Sequence, residues 1–140
     1  MRWWPHRSAE PADPRAQARR RLGRESEQLA RRLLAEAGYV VEQANVRVPV
    51  GEIDLVARDG NTLCFVEVRS TSSEAWGGAL ASITRSKQRR LIRAARWYLQ
   101  RLPQAPAAVR FDVVAVAWAA AGPPRTELVR DAFAADGLDW

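Results

Sequence analysis

Two short segments of the chain carry acidic side chains that could bind a cation together. Residues 51–57 read Gly-Glu-Ile-Asp-Leu-Val-Ala and residues 65–69 read Phe-Val-Glu-Val-Arg. Both segments alternate apolar and polar side chains, which is typical of β-strands with two different faces. Between them, Gly60-Asn61 suits a two-residue primed turn. The segments therefore predict an antiparallel hairpin.

This turn fixes the register of the predicted hairpin. Asp54 then lies opposite Glu67, and Glu52 lies opposite Arg69, all on one face. Directly opposed side chains have Cβ atoms ~4.5–5.5 Å apart. Two carboxylates at that distance repel each other, and a divalent cation between them would remove the repulsion. The pattern favours a metal site held by Asp54 and Glu67.

The other face of the same hairpin is predicted to be continuously apolar. Its cross-strand pairs would be Ile53 with Val68, Leu55 with Val66 and Ala57 with Cys64. The only cysteine is thereby predicted to be a small core residue in a reducing compartment. Two alternatives stand beside the metal site: Arg69 could neutralise an ordinary exposed acidic face, and a one-residue register slip would separate the carboxylates.

Composition and length favour a single globular domain. The chain has 140 residues, of which 47% are hydrophobic and 27% charged, so we expect a domain at 14–135 between a mobile N-terminal tail (1–13) and a C-terminal tail (136–140). No apolar run approaches the ~20 residues of a membrane span, and no apolar region typical of a secretory signal follows the N-terminus. These features predict a cytoplasmic protein without a membrane partner.

The net charge of +6 points to a polyanionic partner, and nucleic acid is favoured. Four arginines lie mostly off the apolar stripe of a predicted helix, where they could bind a phosphate backbone: Arg85, Arg89, Arg90 and Arg93. Trp76, in a Ser- and Gly-rich loop, could stack on an unpaired base; the alternative is that its ring packs on the domain surface. Lys87 is the only lysine among 22 Lys and Arg residues.

The surrounding pattern predicts an α/β fold in the order α-β-β-β-α-β, with a weak fifth strand and a mixed sheet flanked by helices. Asp13-Pro14 should start the first helix and Gly38 should end it. Ser82 or Thr84 should cap the second helix, which runs to about residue 102. The remaining strands are expected from Tyr39 to before Pro49, at 109–118, and near Leu128.

This order and a set of short motifs resemble the YraN-like family of uncharacterised proteins, which is placed near Holliday-junction resolvases in the PD-(D/E)XK nuclease superfamily. The resemblance covers residues 22–133. The matching residues are Leu22-Gly-Arg, Glu27, Ala30, Gly38-Tyr39, Asn45, Gly51-Glu-Ile-Asp-Leu55, Phe65-Val-Glu-Val68, Gly77-Gly78, Lys87-Gln88, Arg110-Phe-Asp-Val113 and Ala132-Phe133.

The resemblance implies a restriction-endonuclease-like core with the hairpin in the sheet centre. It also implies that Asp54 and Glu67 bind Mg²⁺ or Mn²⁺ in an endonuclease acting on structured or branched DNA, and that the protein is a homodimer by analogy with resolvases. Glu52 or Glu27 could complete the metal shell through water. An ion pair with Arg31 is the alternative role for Glu27.

Two residues depart from the pattern of these relatives. Arg69 stands where the superfamily has lysine; it can contact a phosphate but cannot accept a proton from water. Lys87 is the candidate for orienting or deprotonating that water, unless it is simply solvated. Ser26 stands where relatives have glycine before Glu27. Two other functions therefore stay open: a nucleic-acid-binding protein without catalysis, and a scaffold whose basic helix faces an acidic protein.

Overall fold

The computed structural model describes residues 13–72 and 82–135, and its elements follow the predicted order. They are helix α1 (Pro14–Glu36), strands β1 (Val40–Val48), β2 (Gly51–Asp59) and β3 (Thr62–Thr71), helix α2 (Arg85–Leu99), and strands β4 (Ala108–Ala117) and β5 (Arg125–Phe133). The α/β class is confirmed. The last strand, expected to be short, has nine residues.

Both helices begin at the expected capping residues. The Asp13 carboxylate accepts the N–H of Arg15 at 3.0 Å, with Pro14 in the first turn. Thr84, and not Ser82, caps α2, and its hydroxyl accepts the N–H of Lys87 at 3.3 Å. Helix α2 ends at Leu99, three residues before the expected end. These side chains satisfy N–H groups that a helix leaves without partners in its first turn.

The five strands form one mixed sheet in the order β1-β2-β3-β4-β5. Strand β3 lies at the centre and pairs in parallel with β4, while the other three pairings are antiparallel. The parallel pair needs a long crossover, and α2 lies within it. The predicted mixed sheet is thus confirmed, with the hairpin in its middle.

Each face of the sheet packs against one helix. The α1 face buries Leu34 of the helix against Leu55 and Val66, and Cys64 lies here, fully buried as expected. The α2 face buries Ile92 against Val56 and Phe65. The two helices therefore hold the hairpin between two apolar layers, as in other α/β proteins.

The hairpin register is confirmed near the turn and wrong further along. Pairing runs from Asp59–Thr62 to Leu55–Val66 and ends there. Ile53 packs on the α2 face, whereas Val68 packs on the α1 face, so the predicted continuous apolar face is interrupted. The interruption has a physical reason at Asp54. Its carboxylate oxygen Oδ2 accepts the N–H of Val68 at 2.9 Å, at the point where a regular hairpin would continue its backbone pairing.

Three parts of these expectations lie outside the described residues: residues 1–12 of the N-terminal tail expected at 1–13, the C-terminal tail at 136–140, and the loop residue Trp76. Within the part of the chain that is described, no helix is both long enough and apolar enough to cross a membrane.

Candidate functional site

The carboxyl groups of Asp54 and Glu67 meet where the hairpin pairing ends. They share a hydrogen bond, and the Asp54 carboxylate also accepts the Val68 N–H. Only 17% of the Glu67 side chain is exposed. Two acidic side chains from neighbouring strands are thus in contact in a half-buried position, although the strand pairing that predicted their direct opposition ends at Leu55–Val66.

Burial and neighbouring charges change the acidity of both groups. Burial, together with the charge and the hydrogen bond of Asp54, raises the pKa of Glu67 to about 8, although Arg69 and Lys87 act in the opposite direction. Burial also raises the pKa of Asp54, against the effect of the Val68 and Glu67 hydrogen bonds. Ionisation of both carboxyl groups is therefore unfavourable unless a positive charge binds next to the pair.

Arg69 is the nearest cationic side chain to this carboxyl pair. Its Nε lies 3.7 Å from Glu67 Oε1, and its Nη2 donates to the carbonyl oxygen of Ser82 at 3.3 Å. The Nε atom is buried and has no hydrogen-bond acceptor among the described residues. A buried donor without an acceptor is unfavourable, so this position suits an external oxygen ligand.

Lys87 lies partly buried in the first turn of α2. Its ammonium group is close enough to the carboxyl pair to lower the pKa of Glu67. Lys87, the candidate for orienting or deprotonating the attacking water, thus lies near the carboxyl pair. The arginines expected to bind nucleic acid, in contrast, are all exposed on α2: Arg85, Arg89, Arg90 and Arg93.

Glu27 and Glu52 lie on the other side of Asp54, and the charge of each raises the Asp54 pKa. The Asn45 side-chain amide donates to both carboxylate oxygens of Glu27, at 3.0 and 3.1 Å. Asn45 reaches this position with a φ of 51°, in the left-handed region. Arg31 also lies 3.9 Å from Glu27, so the expected ion pair is present as well.

The predicted opposition of Glu52 and Arg69 is absent, since the β2–β3 pairing ends before them and Glu52 pairs with Arg47 of β1. Across the described ranges, no group of three or more His, Cys, Asp and Glu side chains could hold a metal ion. Among the described residues, the carboxylates that meet at this position are therefore the pair Asp54 and Glu67.

A cavity of about 580 Å³ opens beside Asp54, between α1 and the ends of β1, β2 and β3. We call it the α1 cleft; it is lined by Arg20, Gly23, Arg24, Ser26, Glu27, Asn45, Arg47, Glu52, Asp54, Val68 and Ser70. Its three arginines were missed in the sequence. The spacing of Arg20, Arg24 and Glu27, which places them on one face of a helix, was the available signal.

Ser26 has a structural partner that explains its burial. Its hydroxyl accepts the indole N–H of Trp118 at 2.9 Å, and only 1% of the residue is exposed. The hydroxyl therefore joins α1 to the end of β4, while the neighbouring Glu27 remains directed at Asn45.

A second polar cluster, near the hairpin turn, was also missed in the sequence. Asp112 is fully buried and accepts hydrogen bonds from Tyr39 at 2.6 Å, from Arg110 at 2.8 and 2.9 Å, and from the Asp131 N–H at 2.9 Å. Burial would raise the Asp112 pKa, but the Arg110 and Tyr39 hydrogen bonds outweigh it and hold the pKa below its usual value. This carboxylate is fully satisfied within the protein, unlike the Asp54–Glu67 pair.

Comparison with known proteins gives a family without a stated activity. The model of a family described as "Uncharacterised protein family UPF0102" matches residues 26–116. A UPF0102 protein of Desulfosudis oleivorans is 47% identical over 118 residues, which cover 84% of this chain and 94% of that protein. A UPF0102 protein of Symbiobacterium thermophilum is 44% identical over 114 residues, which cover 81% and 97%.

Proposed function

This chain belongs to the UPF0102 family, and we propose that it is a metal-dependent endonuclease that acts on structured or branched DNA through a restriction-endonuclease-like core. One observation carries the proposal. Two half-buried carboxyl groups, Asp54 and Glu67, share a hydrogen bond beside a buried guanidinium nitrogen of Arg69 that has no acceptor among the described residues. Such a site suits a cation and a phosphate together.

The donor atoms fit a hard divalent cation. Carboxylate oxygens are the ligands that Mg²⁺ and Mn²⁺ prefer, and both metals commonly keep several waters or substrate oxygens. A cation would also relieve the repulsion that raises the pKa of Glu67. We therefore assign Asp54 and Glu67 as metal ligands, with Glu52 and Glu27 acting through water.

When bound, the cation would polarise a phosphodiester oxygen and lower the pKa of an attacking water. Arg69 would donate its free Nε–H to a phosphate oxygen and balance the negative charge that develops there. Lys87, whose charge acts on Glu67, would orient the water as an ammonium group and would accept its proton only as the neutral amine, a form that arginine does not reach in proteins.

The decisive experiment measures cleavage of branched, flapped and single-stranded DNA with Mg²⁺ or Mn²⁺ and with a chelator. We expect cleavage only with metal, and none in Asp54→Asn or Glu67→Gln, which keep side-chain shape but weaken metal binding. Glu36→Gln, in an exposed residue at the end of α1, is the matched control. Full activity in both site variants would contradict the proposal.

A non-catalytic nucleic-acid-binding protein is the second candidate, and Arg69 is the observation that favours it. Without a lysine at this position, the pair could bind a metal and a phosphate without hydrolysing it. Tight DNA binding by the wild-type protein, with no cleavage under any metal, would decide for this candidate.

A further inference from the structure

The α1 cleft has a basic rim and an acidic floor. Arg20, Arg24 and Arg47 line it and are all exposed. Asp54 lies in the same cleft and at the same time touches Glu67, so the cleft is continuous with the candidate catalytic pair. A ligand in this cleft would thus lie next to the proposed metal site.

Among the described residues, Arg20 and Arg24 have no carboxylate partner, and Arg47 lies opposite Glu52 in the β1–β2 pairing without forming an ion pair with it. Within residues 13–72 and 82–135, none of the three forms an ion pair, whereas Arg21 and Arg31 on the same helix pair with Glu25 and Glu27. Like charges four residues apart on a helix repel, as Arg20 and Arg24 do. The repulsion between Arg20 and Arg24 does not stabilise the helix, and phosphate oxygens bound at the rim would relieve it.

Gly23 lies between two of these arginines, in the interior of α1. Glycine is unfavourable in a helix interior relative to alanine. A Cβ added here would meet no atom within 4 Å, so packing does not require a glycine. Because Gly23 has no side chain, it leaves room for a ligand in the cleft to approach the backbone of α1 closely.

We propose that the α1 cleft binds the sugar-phosphate backbone of the nucleic-acid strand that reaches Asp54 and Glu67. Arg20, Arg24 and Arg47 contact its phosphates, and Gly23 gives the backbone room against the helix. This assignment rests on the proposed function and adds a second surface to the exposed arginines of α2. Nucleic acid fits better than an acidic protein, because a phosphodiester with its divalent cation matches both the basic rim and the carboxylates of the floor.

The test measures affinity for fluorescent single-stranded and branched DNA with a chelator present, over a series of salt concentrations. The variant Arg20→Ala/Arg24→Ala/Arg47→Ala removes the rim. The control Arg15→Ala/Arg19→Ala/Arg32→Ala removes the same charge from exposed positions of α1 outside the cleft. We expect at least ~10-fold weaker binding by the rim variant and a salt slope smaller by about two to three.

The control should change affinity much less than the rim variant does. Equal losses of DNA affinity in the two variants, or no loss in the rim variant, would overturn the cleft assignment. It would also be overturned if the wild-type protein bound an acidic polypeptide and no DNA. Gly23→Ala gives a second readout: we expect a higher melting temperature together with weaker DNA binding, and unchanged binding would contradict the close approach. Failure of metal-dependent cleavage would reject the endonuclease alone, since these measurements need no cleavage.

Discussion

At the scale of single residues, the contact between Asp54 and Glu67 destabilises the folded protein when both carboxyl groups are ionised. The pKa of Glu67 is about 8 against an ordinary value of 4.5, mainly because of burial. The folded protein therefore binds the proton of the Glu67 carboxyl group more tightly than the unfolded chain does. The resulting stabilisation is complete below pH 4.5 and is lost as the pH rises through about 8.

Glu67→Gln should remove this loss of stability at high pH in the metal-free protein. Glutamine keeps the shape and cannot ionise, so we expect a variant more stable than the wild type at pH 9, by ~1–3 kcal/mol, with a much smaller difference at pH 5. Denaturant unfolding with a chelator at both pH values measures it. A pH-independent difference between the two proteins would show that Glu67 does not titrate in this range.

Arg69→Lys separates two roles for the position. The free Nε–H of Arg69 indicates a guanidinium that contacts phosphate, and lysine cannot reproduce this planar geometry. We therefore expect slower cleavage, by ~10-fold, the cost of one charge-assisted hydrogen bond, with metal affinity little changed. Faster cleavage would instead mean that lysine supplies a base at this position.

At the scale of elements, β1 and β2 each depart from a regular strand at a residue next to the α1 cleft. Asp54 ends the β2–β3 pairing by accepting the Val68 N–H, and Asn45 adopts a positive φ and holds Glu27. Both departures direct polar groups into the α1 cleft. Irregular backbone of this kind is common near functional sites.

Two substitutions at Asn45 should separate its backbone role from its amide role. Asn45→Gly keeps the positive φ and loses the hydrogen bonds to Glu27, so we expect weaker cleavage and little change in stability. Asn45→Ala loses the same amide and adds strain, so unfolding should also become easier by ~1–2 kcal/mol. Melting curves and cleavage rates of both variants check this, and equal stability of the two would contradict a strained φ.

At the scale of the whole molecule, the sheet separates two arginine-bearing helices. Helix α1 packs on one face and α2 on the other, and each turns basic side chains to solvent. The net charge of +6 is thus carried on both sides of the central hairpin. A nucleic acid held at the carboxyl pair could contact both helices at once.

Replacing Arg89, Arg90 and Arg93 of α2 by Ala should weaken binding to every DNA sequence to a similar extent, because contacts to phosphates carry no sequence information. We expect the slope of affinity against salt to fall by about one for each lost contact. Binding to several unrelated sequences at two salt concentrations measures both effects. A loss confined to one sequence would instead indicate contacts with bases.

The amino-acid sequence alone determined the class and order of the elements, and it placed the hairpin turn correctly. Asp13 and Thr84 start their helices through contacts within one turn, and Gly60-Asn61 sets the pairing from Asp59–Thr62 to Leu55–Val66. These features depend on neighbours in the chain and on apolar periodicity. The same register brought Asp54 and Glu67 together in the prediction, and the two side chains do meet, just beyond the last paired residues Leu55 and Val66.

The tertiary structure alone decided how the hairpin ends and what surrounds the carboxyl pair. Ile53 changes face, and Asn45 reaches Glu27 across 18 positions of the chain. Asp112 accepts hydrogen bonds from Tyr39 just before β1, from Arg110 on its own strand β4, and from Asp131 of β5. The α1 cleft likewise joins a helix to the ends of three strands. Such contacts depend on where distant elements pack. In each of them the cost of burying a polar group is offset by hydrogen bonds to residues far away in the chain, and apolar periodicity carries no information about such partners.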